Sequence, residues 1–285
     1  MSKTMRLSLL LLFSVALPLQ AYAGTTITRL ADKQTVTMQQ LTAQTEAADL
    51  VLVGEVHDNP AVHDLQLSVI HYLNAKKHPL AIGLEVMQSD SQQQLDDWTN
   101  GKLSEEDFRV MFAKNWSYDW RLYRDIFIFA KDNKIPMIGL NVPKELAKKV
   151  SRQGCKALTD EEKNKLPQGS NCDLNNPHTE FLKQSFQALF KNVTNGRVFE
   201  YFCEAQTLRN SGMASHIAQY AKKNPKTKIV VLAGIWHAVK NAIPEQLARN
   251  GGKMTSMVIM PEIPELSGGK ASVEVIDYLV KLPTP

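Results

Sequence analysis

Four runs of apolar or small residues without polar alternation punctuate the chain, at 50–53, 80–84, 136–140 and 229–233. A strand with one wet face alternates, whereas an unbroken run predicts a strand covered on both faces, as in a parallel sheet. Each run ends on polar chemistry. The first breaks at Gly54 and passes through Glu55 to His57; the last breaks at Gly234 and reaches His237 at the same spacing. The two between them stop at Glu85 and Asn141. In an open parallel sheet the carboxyl ends of the strands share one edge, and ligands bind there. Glu55, His57, Glu85, Asn141 and His237 are therefore expected to converge from four separate turns.

Between these runs the apolar spacing becomes helical. Val62, Leu65, Val69, Tyr72 and Leu73 recur at intervals of three and four, so the first strand leads through a polar loop into a helix. Residues 24–48 read as a short hairpin, 25–30 with 35–38, followed by a polar helix. From 89 to 133 three helices are expected, the second capped by Ser104 with Glu105, Glu106 and Asp107 in its first turn. The third begins near Trp120, after the aromatic connector Asn115-Trp116-Ser117-Tyr118-Asp119. This excursion follows the carboxyl end of the second strand, which places it as a lid over the shared edge. Further helices are expected at 143–153, near 179–191, near 197–223 and near 244–250, with strands at 254–260 and 273–280. The alternation predicts an α/β fold: a mostly parallel sheet with helices on both faces and a helical lid insertion.

The chain has 285 residues, 44% hydrophobic and 22% charged, enough to bury a full core. Lys3 and Arg6, the largely apolar stretch 7–17 and Ala21-Tyr22-Ala23 predict a signal peptide over residues 1–23, since the apolar stretch is short for a bilayer span. A single domain over 24–285 follows, with the lid at about 89–133 and a disulfide loop at 154–178. Loss of Lys3 and Arg6 lowers the formal charge from +4 to +2, no footprint for nucleic acid. The expected location is the periplasm, which permits disulfides. Cys155 and Cys172 flank a polar loop and are expected to pair, leaving Cys203 in a helix as the odd thiol.

On the long helix near 197–223, Val198, Phe202, Ala205, Met213, Ile217 and Tyr220 form an apolar stripe that includes Arg209. A guanidinium on a buried face needs a partner, for which Glu55 and Glu85 are candidates. Tyr201 lies beside the stripe and Gln206 at its other margin. Imidazoles and carboxylates at one edge admit two chemistries. They can hold a divalent metal that activates water for hydrolysis, although no H-E-x-x-H is present. Alternatively the polar floor anchors an acidic ligand whose apolar body is covered by the lid aromatics. Haem fits that description, with a Tyr or His axial ligand, cations for its propionates and apolar walls. The absence of C-x-x-C-H excludes covalent c-type attachment.

Residues 49–59, DLVLVGEVHDN, resemble the opening motif of the ChaN family of bacterial haem-binding proteins, within the wider Tiki/TraB-like superfamily with paired G-x-x-H signatures. The resemblance continues through Gly83-Leu84-Glu85, residues 116–123, Gly139-Leu140-Asn141, Glu204-Ala205-Gln206, Met213-Ala214 and Gly234-Ile235-Trp236-His237, spanning about 45–260. It implies an envelope protein of haem or iron acquisition that binds haem non-covalently at the carboxyl edge of the sheet. It further implies a tyrosinate ligand to iron and a histidine near the propionates. Carried onto this chain these are Tyr201, with Tyr118 and Tyr123 behind it, and His237; Glu55, His57, Glu85, Asn141, Gln206 and Arg209 complete the site. Partners implied are haem, an outer-membrane haem receptor or uptake system, and a second copy of the chain around haem. The superfamily likeness carries an alternative, a metal-dependent hydrolase with His57, His237 and Glu85 as ligands and Glu55 or Glu85 as acid–base group. Two departures stand out: no lipobox cysteine, and Arg209-Asn210 where the family pattern carries an acidic residue.

Overall fold

The four unbroken apolar runs form the centre of one sheet. In this computed structural model, which describes residues 24–189, 196–264, 266–267 and 269–283, they are β3 (Leu50–Glu55), β4 (Leu80–Gln88), β5 (Met137–Asn141) and β6 (Lys228–Gly234). The expected signal peptide lies outside the described residues. The hairpin β1 (Thr26–Arg29) and β2 (Gln34–Val36) precedes them, and β7 (Ser256–Pro261) and β8 (Tyr278–Lys281) follow. The sheet order is β2-β1-β8-β7-β3-β6-β4-β5, parallel from β8 to β5 and antiparallel where β1 meets β2 and β8. The last strand is shorter than the sequence pattern suggests. Residues 273–275 form a turn in which the Val275 and Ile276 N–H groups both donate to the Ser272 carbonyl, and pairing resumes only at Asp277, whose N–H donates to the Val258 carbonyl.

Helices cover both faces. They are α1 (Met38–Gln44), α2 (Pro60–Ala75), α3 (Gln92–Thr99), α4 (Glu105–Asn115), α5 (Trp120–Asp132), α6 (Lys144–Gln153), α7 (Asp160–Lys163), α8 (Pro177–Leu189), α9 (Gly196–Lys223), α10 (Ile235–Ala238) and α11 (Ile243–Arg249). The reason the strands read as continuous apolar runs is visible in their two sides. Val51 and Val53 join a core with α2, α3, α4 and α5, whereas Leu50 and Leu52 join the opposite core with α9 and α11. The expected Ser104 cap holds, accepting from the Asp107 N–H at 3.1 Å, and Asn59 caps α2 in the same way, accepting from the Ala61 N–H at 3.0 Å.

The insertion is a lid only in part. Leu95, Trp98, Phe108, Phe112, Trp120 and Phe127 turn inward and make α3, α4 and α5 a layer on the sheet, because their aromatic faces gain more from burial there than from overhanging solvent. Only the connector between α4 and α5 reaches over the carboxyl edge. The apolar stripe on α9 is likewise broader than its spacing indicates. From Cys203 to Ile217 nearly every residue is buried, because α6, α11 and β5 all pack against this helix, while Val198 at its start is exposed.

The expected disulfide joins Cys155 and Cys172 with Cα atoms 6.3 Å apart, and pins the end of α6 beside α9, where the Cys155 N–H donates to Glu204. Cys203 is free and buried, and burial pushes its thiol up to about 12, which makes it inert.

Candidate functional site

The carboxyl edge gathers the residues that end the four central strands. Glu55 is the last residue of β3 and sits in register with Gly234 of β6. Its carboxylate is buried and fully engaged: Oε1 accepts from His57 Nδ1 at 2.8 Å and from the Tyr123 hydroxyl at 2.7 Å, and Oε2 accepts from Gln66 Nε2 at 2.7 Å. This fixes the His57 ring so that Nε2 points away from Glu55. Burial lowers the affinity of His57 for a proton, but the hydrogen bond to Glu55 and the charges of Glu85 and Glu55 outweigh it, and its pKa is raised. Burial, with the negative charge of Glu55, pushes the Tyr123 phenol far above its ordinary range, so it stays a neutral donor and not a tyrosinate.

The second carboxylate, Glu85, points from β4 where a bulge shifts the register against β5, between Leu84 and Gln88. It accepts from the Arg209 guanidinium and from the Gly234 N–H. Arg209 reaches across from α9 and also donates to Asn141 Oδ1 at 3.2 Å and Gln206 Oε1 at 3.3 Å, while Asn141 Nδ2 donates to the Glu85 carbonyl at 3.0 Å. The expected partner for this guanidinium is therefore Glu85 and not Glu55. Burial opposes ionisation of Glu85, but the imidazole of His237, the guanidinium of Arg209, the His57 ring and the Gly234 N–H hold its carboxyl at about 2. His237 itself is driven well below the ordinary imidazole range by burial, with the charge of Arg209 adding to the effect. His237 therefore adds its charge to Glu85 only at acid pH, where Glu85 itself titrates, and Arg209 is the permanent cation on that carboxylate.

His237 is only 2% exposed. Its Nδ1 faces Asn210 Oδ1 at 2.6 Å, and its Nε2 lies 3.5 Å from Glu85 Oε1 without a hydrogen-bond partner. Asn210 passes the chain on to His178 Nδ1 at 3.1 Å, whose imidazole burial lowers to about 4. The two G-x-x-H turns meet at Gly234. A Cβ on that residue would lie 2.8 Å from His57 Cε1 and 3.3 Å from Glu85 Oε2, so only glycine lets both turns close on each other.

Above this floor opens a cavity of about 760 Å³, within the usual span of small-molecule sites. Glu55, His57, Glu85, Asn141, Gln206, Arg209 and His237 all border it, as expected. Trp116 and Tyr118 from the α4–α5 connector flank the His57 ring, with centroids 4.9 and 5.0 Å away, and Tyr118 is 40% exposed at the mouth. Trp236 and Val142 also line the cavity, as do Lys144, Ala147, Lys148 and Ser151 of α6. Tyr201 does not border the cavity: its ring lies over Gly154 at the end of α6, one helical turn before Ala205, which does. Among the described residues no three His, Cys, Asp or Glu side chains share metal-ligand geometry. Glu85 and His237 approach one another, but the Arg209 guanidinium holds the position at Glu85 that a divalent cation would need.

Sequence reasoning missed Gln66, Asn210 and His178 as parts of the floor. Gln66 and Asn210 carry a signal, since each is a polar residue inside a buried helical stretch; His178 carries none.

Comparison with known proteins accounts for the shared edge. The family described as "Haem-binding uptake, Tiki superfamily, ChaN" matches residues 41–247. The fold is similar to that of a solved structure described as cofacial heme binding to ChaN of Campylobacter jejuni, with TM-score 0.71, 17% identity, and coverage of 91% of this chain and 97% of that one. A chloroplastic protein of Arabidopsis thaliana, RETICULATA-RELATED 5, is 21% identical over 228 residues, 75% of this chain and 31% of that protein. The chain thus spans about a third of that relative's length. With more than half of its residues matched by the family, the chain belongs to the ChaN haem-binding uptake family of the Tiki superfamily.

Proposed function

We propose that this protein binds haem non-covalently in the cavity at the carboxyl edge of its sheet and serves haem or iron acquisition in the periplasm. The observation that carries the reading is the division of the cavity into aromatic walls, Trp116, Tyr118 and Trp236, and a basic side on α6. A flat macrocycle with an acidic edge needs both. The family supports the ligand; the expected signal peptide supports the compartment. A phenolate supplies the axial ligand in this reading: that of Tyr118, which lines the cavity, or that of Tyr201, the residue implied by the family resemblance, one helical turn from the lining residue Ala205. A second copy of the chain, or an outer-membrane receptor, would meet the ligand at the mouth, where Tyr118 is exposed.

Titration of the purified mature chain with ferric haem tests this. The expected result is a Soret shift that saturates at about one or two equivalents, lost in either Tyr201→Phe or Tyr118→Phe. No shift with the wild-type chain refutes the reading. Light scattering with and without haem tests the second copy, and fractionation of the native cell tests the compartment.

A further inference from the structure

We propose that Lys144 and Lys148 are the residues that read the carboxylates of the ligand, so that its acidic edge lies on α6 and its apolar body against the aromatic walls. This rests on haem as the occupant and deepens that reading by assigning the propionate contacts. Lys144, Ala147, Lys148 and Ser151 recur at three- and four-residue spacing, so one face of α6 borders the cavity. Along it, small side chains leave room for a flat edge and two exposed ammonium groups flank them. Among the described residues neither lysine is held in an ion pair, unlike the neighbouring Lys149, which binds Glu162 at 2.7 Å. Their charge is available to a ligand.

The other cation and the buried imidazole at the site are not. Arg209 is committed to Glu85, Asn141 and Gln206, and its side chain is only 18% exposed. His237, the propionate partner implied by the family resemblance, is turned inward between Asn210 and Glu85. The floor also carries Glu55 and Glu85, with Asp58 beside His57 at the opening. Dianionic ligand edges are repelled from that side and attracted to α6, where charge-assisted contacts strengthen as the ligand excludes water.

The test compares ferric haem with its dimethyl ester, which keeps the macrocycle and iron but lacks free carboxylates. For the wild-type chain haem binds more tightly than the ester, and its affinity falls with added salt. In the double variant Lys144→Glu/Lys148→Glu, haem affinity drops about tenfold or more, ester affinity stays within about twofold, and the salt dependence flattens. Lys144→Arg/Lys148→Arg retains haem binding. Both positions are exposed, so circular dichroism melts of the variants match the wild type. Equal losses for both ligands, no loss of haem, or a wild-type chain indifferent to esterification overturns the assignment while leaving haem as the ligand. A wild-type chain that binds neither overturns both.

Discussion

Removing the guanidinium of Arg209 isolates the most consequential interaction in the molecule. Glu85 is buried, and its carboxyl is held at about 2 against an ordinary 4.5. At 1.36 kcal/mol per unit, that difference corresponds to about 3 kcal/mol of stability at neutral pH. Breaking a buried pair by deleting one partner costs about 3–5 kcal/mol, because the remaining charge is left without compensation. Arg209→Met keeps most of the apolar stem and removes the charge, so about 3 kcal/mol is expected in urea denaturation at pH 7. The pH dependence has a definite sign. A depressed folded-state value contributes stability that is present above about 4.5 and is lost as pH falls towards about 2. In the variant only His237, His57 and the Gly234 N–H oppose burial, so the Glu85 carboxyl rises from its wild-type value and less stability is lost on acidification. The gap between wild type and variant therefore narrows from pH 7 to pH 3. Adding Glu85→Gln to Arg209→Met recovers at least about 2 kcal/mol. A gap that is constant with pH, or below about 1 kcal/mol at pH 7, refutes the assignment of Arg209 as the counter-charge.

Two further outcomes follow from the same geometry. Gly234→Ala keeps an allowed backbone, φ −56° and ψ 156°, but places its Cβ against the His57 ring; a loss of about 1–3 kcal/mol and a shift of the His57 imidazole resonances are expected, and an unchanged melt rejects the close approach. Replacing Cys155 and Cys172 by alanine costs about 3 kcal/mol by denaturant titration and loosens the end of α6, and peptide mapping that recovers both as free thiols in the oxidised protein rejects the bridge.

Much of the fold was legible because burial on two faces leaves a direct mark on sequence. Residues 50–53 and 229–233 lack alternation since their neighbours on both sides of the sheet are apolar, and the parallel order then carries their polar ends to one edge. The convergence of Glu55, His57, Glu85, Asn141 and His237 follows from strand direction alone. Less legible was the insertion at 89–133, whose aromatic residues look the same whether they face a core or a ligand. The structure turns Trp98, Phe108 and Trp120 inward and leaves only Trp116 and Tyr118 at the cavity.

Which charge neutralises which was decided by tertiary structure. Arg209 faces a buried side of α9 by its spacing, yet two carboxylates stood within reach in principle; Glu55 is taken up by His57, Gln66 and Tyr123, and it is Glu85 that meets the guanidinium. Tyr201 sits on the expected helix but its ring leans over Gly154, and His237 ends the expected strand but points inward to Asn210. Periodicity sets the face of an element on which a residue lies; the direction of its side chain depends on packing against elements far away in the chain, which no local pattern encodes.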